Sequence, residues 1–409
     1  MESNLLFHPG PGADRNRVVY DADGLKRESS APSQLNCPAE IDIPSFIALI
    51  GQGRYEEALK VIREDNPFPW VCGLVCPNPC ESWCQRRHLD KPLCIKDLKA
   101  FAAKMVVGRN KQYTISKPAT HYDEKVAVIG SGPAGLTAAY FLARRGYPVT
   151  IFEALQEPGG MMVTGIPEFR LPRDVVRREI AAIQELGVEI VVNTPIGKDI
   201  TLDQLRKEGY RAFFLGIGAW RGIRLGIEGE GEYPQVIDVL TFLKDVSFGK
   251  KVKPADRIAI VGGGNAAIDA ARTCVRLGSQ SVSILYRRTR SEMPAHFEEI
   301  IQTAEEGIHI HQLTIPSRII GSYGKVDFLE CVMATLGEPD ESGRRRPIPV
   351  PDSEYRMPVG AVICAIGQKP HVREYVGFGE LEVTSRETIK VRPDRQQTSI
   401  PDVFAGGDA

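Results

Sequence analysis

Residues 125–153 read KVAVIGSGPAGLTAAYFLARRGYPVTIFE, and this stretch decides the fold. KVAVI is a short β-branched run, the pattern of a buried strand. It meets a glycine-rich turn, a helix predicted from Pro133 to Arg145, and a second strand from Pro148 to Phe152. Gly130, Gly132 and Gly135 stand in the G-x-G-x-x-G frame. In that frame the first glycine makes the tight turn and the second lets backbone approach a pyrophosphate. The third lets helix and strand pack closely. Pro133 and Ala134 open a helix whose N-terminal N–H groups suit phosphate. Glu153 ends the second strand, at about the 20-residue spacing of an acid that accepts hydrogen bonds from an adenosine ribose. That contact requires an unphosphorylated ribose, as in FAD or NAD.

The same events restart at Arg257. RIAIV is followed by Gly262, Gly263 and Gly264, then a helix over Ala266–Leu277 and a strand over Ser281–Tyr286. Here Gly262, Gly264, Asn265 and Ala266 occupy the turn and helix start, and alanine takes the third glycine site. The second strand ends on Arg287 and Arg288, with no acid. Guanidinium groups at this place suit a 2′-phosphate, which favours NADP(H) over NAD(H). The alternative is that Arg287, Arg288 and Arg290 form a solvated basic turn. Two strand–turn–helix–strand units give an α/β protein with two Rossmann-like dinucleotide-binding domains. One ribose-binding acid and one arginine pair point to a flavin and a nicotinamide. That chemistry asks little of side chains beyond position and exclusion of water, so no catalytic side chain is assigned.

The 409 residues leave room for a further domain. With 51 basic and 52 acidic side chains the net charge is −1, which argues against a nucleic-acid partner. No apolar run reaches the roughly 18 residues of a membrane span, and Met1 to Gly12 shows no secretory pattern. The reading is therefore cytoplasmic. Residues 1–36 have weak periodicity and read as an extension. Helices are predicted over Ile43–Ile50, Tyr55–Arg63 and Asp97–Val107, with a linker over Tyr113–Glu124.

Of nine cysteines, Cys37, Cys72, Cys76, Cys80, Cys84 and Cys94 fall in this helical segment. VCGLVCPNPCESWC (71–84) places four at intervals of four, and Pro77 and Pro79 forbid a continuous helix there. Structural zinc prefers well-separated C-x₂₋₄-C pairs. A dense run with a distant Cys37–Pro38 is closer to iron–sulfur ligation, with zinc and unligated thiols as alternatives. Cys274 and Cys364 lie in a helix and a strand and read as small core residues.

These stretches, with CPAEIDIPSFIALIGQGRYEEAL (37–59), PGGMMVTGIPEFRLP (158–172), LYRRTRSEMPA (285–295), VICAIGQKP (362–370) and TSIPDVFAGGDA (398–409), give a marked family resemblance. The chain resembles the small (beta) subunit of glutamate synthase and its relatives. Those include the N-terminal part of dihydropyrimidine dehydrogenase and the NADPH- and FAD-binding subunit of electron-bifurcating ferredoxin:NADP oxidoreductases. The resemblance implies a helical iron–sulfur domain (37–117), an FAD domain (124–235 and 365–409) and an inserted NAD(P) domain (236–364). It implies at least one 4Fe-4S cluster on Cys37, Cys76 and Cys80, with Cys72, Cys84 and Cys94 competing for the fourth place. It adds Gly160, Gly407 and Asp408 to the flavin contacts.

The implied activity is electron transfer between NAD(P)H, FAD and iron–sulfur clusters, to or from other redox subunits of a hetero-oligomeric complex. A bifurcating complex is one such setting. The alternative, from a different class, is a non-catalytic adaptor that keeps the fold and a bound cofactor. The chain stops at Ala409 inside the closing flavin motif. The expectation is that the polypeptide continues, or that the flavin site is completed differently.

Overall fold

Each of the two glycine turns sits where the sequence places it, at the carboxyl end of the first strand of a parallel sheet. The computed structural model describes residues 31–108, 115, 118–198, 200–250, 253–340, 343–370, 372 and 381–409. Residues 1–30 of the expected extension, and most of the expected linker before residue 118, lie outside the described residues.

The chain begins with helices α1 (Pro32–Leu35), α2 (Ile43–Gly51), α3 (Tyr55–Asp65), α4 (Pro69–Val75), α5 (Pro79–Ser82) and α6 (Ile95–Gly108). Asp42 caps α2 by accepting from Ser45 N at 3.1 Å. Helix α4 is not among the sequence expectations; it holds Cys72 and ends at Cys76, before Pro77. Asn78, at φ 45°, turns the chain into α5.

Next come β1 (Lys125–Ile129), α7 (Pro133–Arg144), β2 (Val149–Phe152), α8 (Met161–Thr164), α9 (Arg173–Gln184), β3 (Glu189–Val191), α10 (Leu202–Lys207) and β4 (Tyr210–Leu215). They are followed by β5 (Arg221–Gly222), β6 (Val236–Asp238), α11 (Val239–Ser247), β7 (Arg257–Val261), α12 (Asn265–Arg276), β8 (Ser281–Leu285), α13 (Phe297–Glu305) and β9 (His309–His311). The remaining strands are β10 (Thr314–Ser322), β11 (Lys325–Pro339), β12 (Arg345–Pro349), β13 (Tyr355–Pro358), β14 (Ala361–Cys364), β15 (Gln368–Lys369) and β16 (Val403–Ala405).

Two units result. The first comprises residues 1–160, 169–218 and 372–409. Its sheet runs β16-β4-β1-β2-β3, all parallel. β1 and β2 are buried nearly end to end, which explains their unbroken apolar runs. The cysteine-bearing helices pack within this unit. Ala182 of α9 joins the core of Phe46, Leu49, Leu59, Ile62 and Ala102. The end of α3 is capped from α7: Tyr140 Oη donates to Arg63 O at 2.7 Å, and Arg144 pairs with Glu64 at 2.7 Å.

The second unit comprises residues 161–168 and 219–371. It carries the parallel sheet β6-β14-β7-β8-β9 and an antiparallel layer in which β11 pairs with β10, β12 and β13. It is wider than 236–364, because β5 and β15 pair antiparallel and α8 packs near α11. Cys274 and Cys364 are both core residues.

Candidate functional site

Backbone approaches backbone around the first glycine turn. A Cβ on Gly130, whose φ is 97°, would lie 2.5 Å from Gly216 O. One on Gly135 would lie 1.9 Å from Gly130 O. These glycines are therefore required by packing. Gly132 is different: no atom lies within 4 Å of its Cβ position, so the strand-to-helix turn presents an open face there. A Cβ on Gly160 would lie 2.6 Å from Gly132 Cα, and one on Gly407, at φ 84°, would lie 2.8 Å from Ala134 Cβ. Residues distant in sequence thus converge on the start of α7, where Pro133 takes the first helical position.

Glu153 is buried and already engaged. Its Oε2 accepts from Ser131 N at 2.9 Å and from the Ser131 hydroxyl; its Oε1 accepts from Leu155 N at 2.8 Å. Gly159 N in turn donates to Ser131 Oγ at 3.0 Å. Glu153 thus fixes the glycine turn. Ser131 and Gly216 were missed in the sequence reading. A serine between two motif glycines, and the LGIG run at 215–218, were the available signals. Asp408 is exposed.

The second turn repeats the design. A Cβ on Gly262 would lie 2.2 Å from Ala365 O, and one on Gly263 would meet the Tyr286 ring at 2.5 Å. Gly264 N-caps α12 and is open: a Cβ there would meet only Pro294 Cγ, at 4.0 Å. The RSEMPA loop is fastened alongside: Ala295 N donates to Gly263 O at 3.2 Å, and His296 N to Asn265 Oδ1 at 3.1 Å. Ala266 packs at the edge of the core.

The two arginines part company. Arg287 is exposed and has no ion-pair partner among the described residues. Burial, and after it the charge of Arg288, lower its pKa, a crowding that an anion would relieve. Arg288 departs from the expectation. It is 2% exposed, donates from Nε to Arg345 O at 2.6 Å and pairs with Asp340 at 2.6 Å. Both lie in the bend after β8, where Arg288 turns inward to Asp340 and Arg287 outward.

Three thiols gather in the helical part. Cys37 and Cys80 share one apolar cluster, and Cys80 is pushed up to about 12 by burial and then by Cys37 and Cys76. Asn78 N donates to Cys76 Sγ at 3.4 Å. Cys72 lies deep beside Asn66, at 3.8 Å from its Oδ1; burial raises its pKa, and Cys76 is among its charged neighbours. Cys84 is buried and accepts from Leu93 N at 3.5 Å, whereas Cys94 is exposed. Among the described residues no three His, Cys, Asp or Glu side chains are arranged to hold a metal ion. A single tetrahedral ion draws its sulfurs close, at about 2.3 Å each. A multi-iron cluster sits between its thiolates and spaces them wider. The donor set of thiols with an N–H aimed at sulfur fits that group.

The profile of the pyridine nucleotide-disulphide oxidoreductase family matches residues 124–409. That of dihydropyrimidine dehydrogenase domain II, 4Fe-4S cluster, matches residues 15–111. The NADP(+)-dependent formate dehydrogenase subunit beta of Moorella thermoacetica is 43% identical over 97% of this chain and 60% of its own length. The glutamate synthase [NADPH] small chain of Escherichia coli is 34% identical over 91% of this chain and 82% of its own. The chain therefore spans about 60% of the former relative. FprA from Mycobacterium tuberculosis, solved in complex with NADPH, shares the fold at a TM-score of 0.60. That likeness has 17% identity and covers 70% of this chain and 79% of FprA.

Proposed function

From the chain's membership of the pyridine nucleotide-disulphide oxidoreductase family, and its kinship with the glutamate synthase small chains, we propose an NADPH-dependent flavin and iron–sulfur electron-transfer subunit of a cytoplasmic redox complex. One observation carries this reading: a single chain holds two open glycine turns, one beside an acid and one beside an unpaired arginine, together with a gathered set of thiols. When bound, the nicotinamide and flavin exchange a hydride, and the cluster takes electrons singly. The chain's own part is placement. Gly130, Gly132, Gly160 and Gly407 frame the FAD diphosphate, with Glu153 toward its ribose. Gly262, Gly264 and Asn265 frame the second nucleotide, and Arg287 meets its 2′-phosphate. Cys37, Cys76 and Cys80 hold the cluster. No helix among the described residues is long and apolar enough to cross a membrane.

The test is direct. Purified, iron-loaded protein should be coloured, NADPH should bleach its flavin band, and a reduced-cluster EPR signal should follow. A colourless chain indifferent to NADPH and NADH would leave only the adaptor reading.

The arginine assignment has its own check. Arg287→Ala should weaken NADPH binding about 10- to 100-fold while leaving NADH little changed, the loss of one charge-assisted contact of about 1.5–3 kcal/mol. Arg288→Ala should instead lower stability by about 2 kcal/mol or more, because it breaks a mostly buried ion pair. Equal loss of NADPH and NADH in the Arg287 variant would refute the phosphate contact.

A further inference from the structure

Lys99 lies on α6 and is 6% exposed, yet it makes no hydrogen bond or ion pair with a described residue. Lysine is almost never buried without a partner, since an ammonium taken from water needs a compensating anion. Its position is fixed by its neighbours. Three residues before it, Lys96 N donates to Glu81 Oε1 at 2.9 Å, beside Cys80. One residue after it, Ala100 packs so tightly on Gly73, beside Cys72, that a Cβ there would lie 2.6 Å from Ala100 N. Lys99 is thus held between the two cysteine segments. Its charge acts on Cys72, Cys80 and Glu179, favouring the anion of each. Glu179 is already engaged: it accepts from Trp70 N and Val71 N and faces Arg63 at 3.9 Å. What remains for Lys99 is the thiolate side.

We infer that Lys99 is the buried counter-charge of the cysteine pocket and raises the electron affinity of the iron–sulfur group held there. The inference rests on the cluster reading proposed above. When one electron passes from the reduced flavin to that group, the group gains one negative charge and need take up no proton. A fixed ammonium within the same low-dielectric core stabilises the reduced form over the oxidised one.

The experiment is an EPR-monitored redox titration of iron-loaded full-length protein, with iron and sulfide counted in each sample. Lys99→Met keeps the packed stem and removes the charge. It should shift the reduction equilibrium at least tenfold toward the oxidised form, about 59 mV more negative for one electron. Lys99→Arg should restore the wild-type value. Lys104→Met removes an exposed charge from the same helix and should leave the potential unmoved. Equal iron content with an unshifted potential in Lys99→Met would overturn the inference. Loss of iron in Lys99→Met with retention in Lys99→Arg would support it. Loss in both would assign Lys99 to packing and overturn it. Wild-type protein that takes up no iron and sulfide would refute the cluster reading itself, a failure visible before any variant is made.

Discussion

Gly135→Val should leave the purified protein without flavin and sharply destabilised. The Cβ of any residue at 135 would sit 1.9 Å from Gly130 O and 3.1 Å from Val128 Cγ1. The first of these is backbone, and it cannot rotate away. Helix α7 would have to lift from β1, taking with it the contacts of Gly160 and Gly407 that gather on its first turn. Ordinary overpacking costs about 1–3 kcal/mol, and a clash with backbone belongs at or above the upper end. Thermal melting and the flavin-to-protein absorbance ratio measure the two effects. Gly132→Ala separates them. Its Cβ meets nothing within 4 Å, and its φ of −67° suits alanine, so the fold should melt within about 1 kcal/mol of wild type. Flavin should still be lost, because the methyl occupies the space through which a diphosphate approaches. Retention of flavin in Gly132→Ala would argue that the open face is not the diphosphate site.

Glu179→Ala should cost about 2–5 kcal/mol at pH 5, because two buried N–H donors lose their acceptor at about 1–3 kcal/mol each. Glu179 is fully buried on α9, and its two oxygens accept from Trp70 N at 2.8 Å and Val71 N at 3.1 Å. It thus caps α4, the helix that carries Cys72 and ends at Cys76. Truncation strands both N–H groups and takes the carboxylate from beside Arg63. The pH dependence has a defined sign. Burial pushes the Glu179 carboxyl from its ordinary 4.5 up to about 7, against the opposing pull of Arg63 and the two N–H donors. A raised carboxyl contributes most below pH 4.5 and loses that contribution as pH rises through 7, about 3 kcal/mol in all. The gap between wild type and Glu179→Ala in urea melts should therefore be wider at pH 5 than at pH 8. A constant gap would mean that Glu179 does not titrate in this window. Glu179→Gln, which keeps one acceptor and cannot ionise, should lose the pH dependence and less of the stability.

Both dinucleotide folds were legible in the sequence because every local signal agreed. β-branched strands buried on both faces, glycine at the turn and an apolar helix face specify one arrangement. The helices α7 and α12 begin and end within one residue of the predicted bounds. Helix α4 was missed because seven residues bounded by Pro69 and Pro77 carry too short a period to register, and its first turn is satisfied by Glu179, 108 residues on from Val71. The direction of Arg288 was equally hidden. Asp340, its partner, lies across a loop that only the fold brings near. Lys99 looked like any helical lysine, since burial without a partner is a tertiary fact. The wider second unit followed from β5 and β15, strands of two residues each that no periodicity could report.

The sheet that carries the first glycine turn takes its edge strand β16 from residues 403–405, beside β4 at 210–215. On a ribosome, β4 emerges nearly two hundred residues before the strand that covers its flank. Through that interval the 219–371 unit can complete its own sheet, while the earlier one waits with an open edge. Val403 and Ala405 can enter the core of Phe213 and Leu215 only once they have been made. The topology thus lets the 219–371 unit pair its strands before the first sheet is completed, and Gly407, two residues beyond β16, can reach the start of α7 only after that.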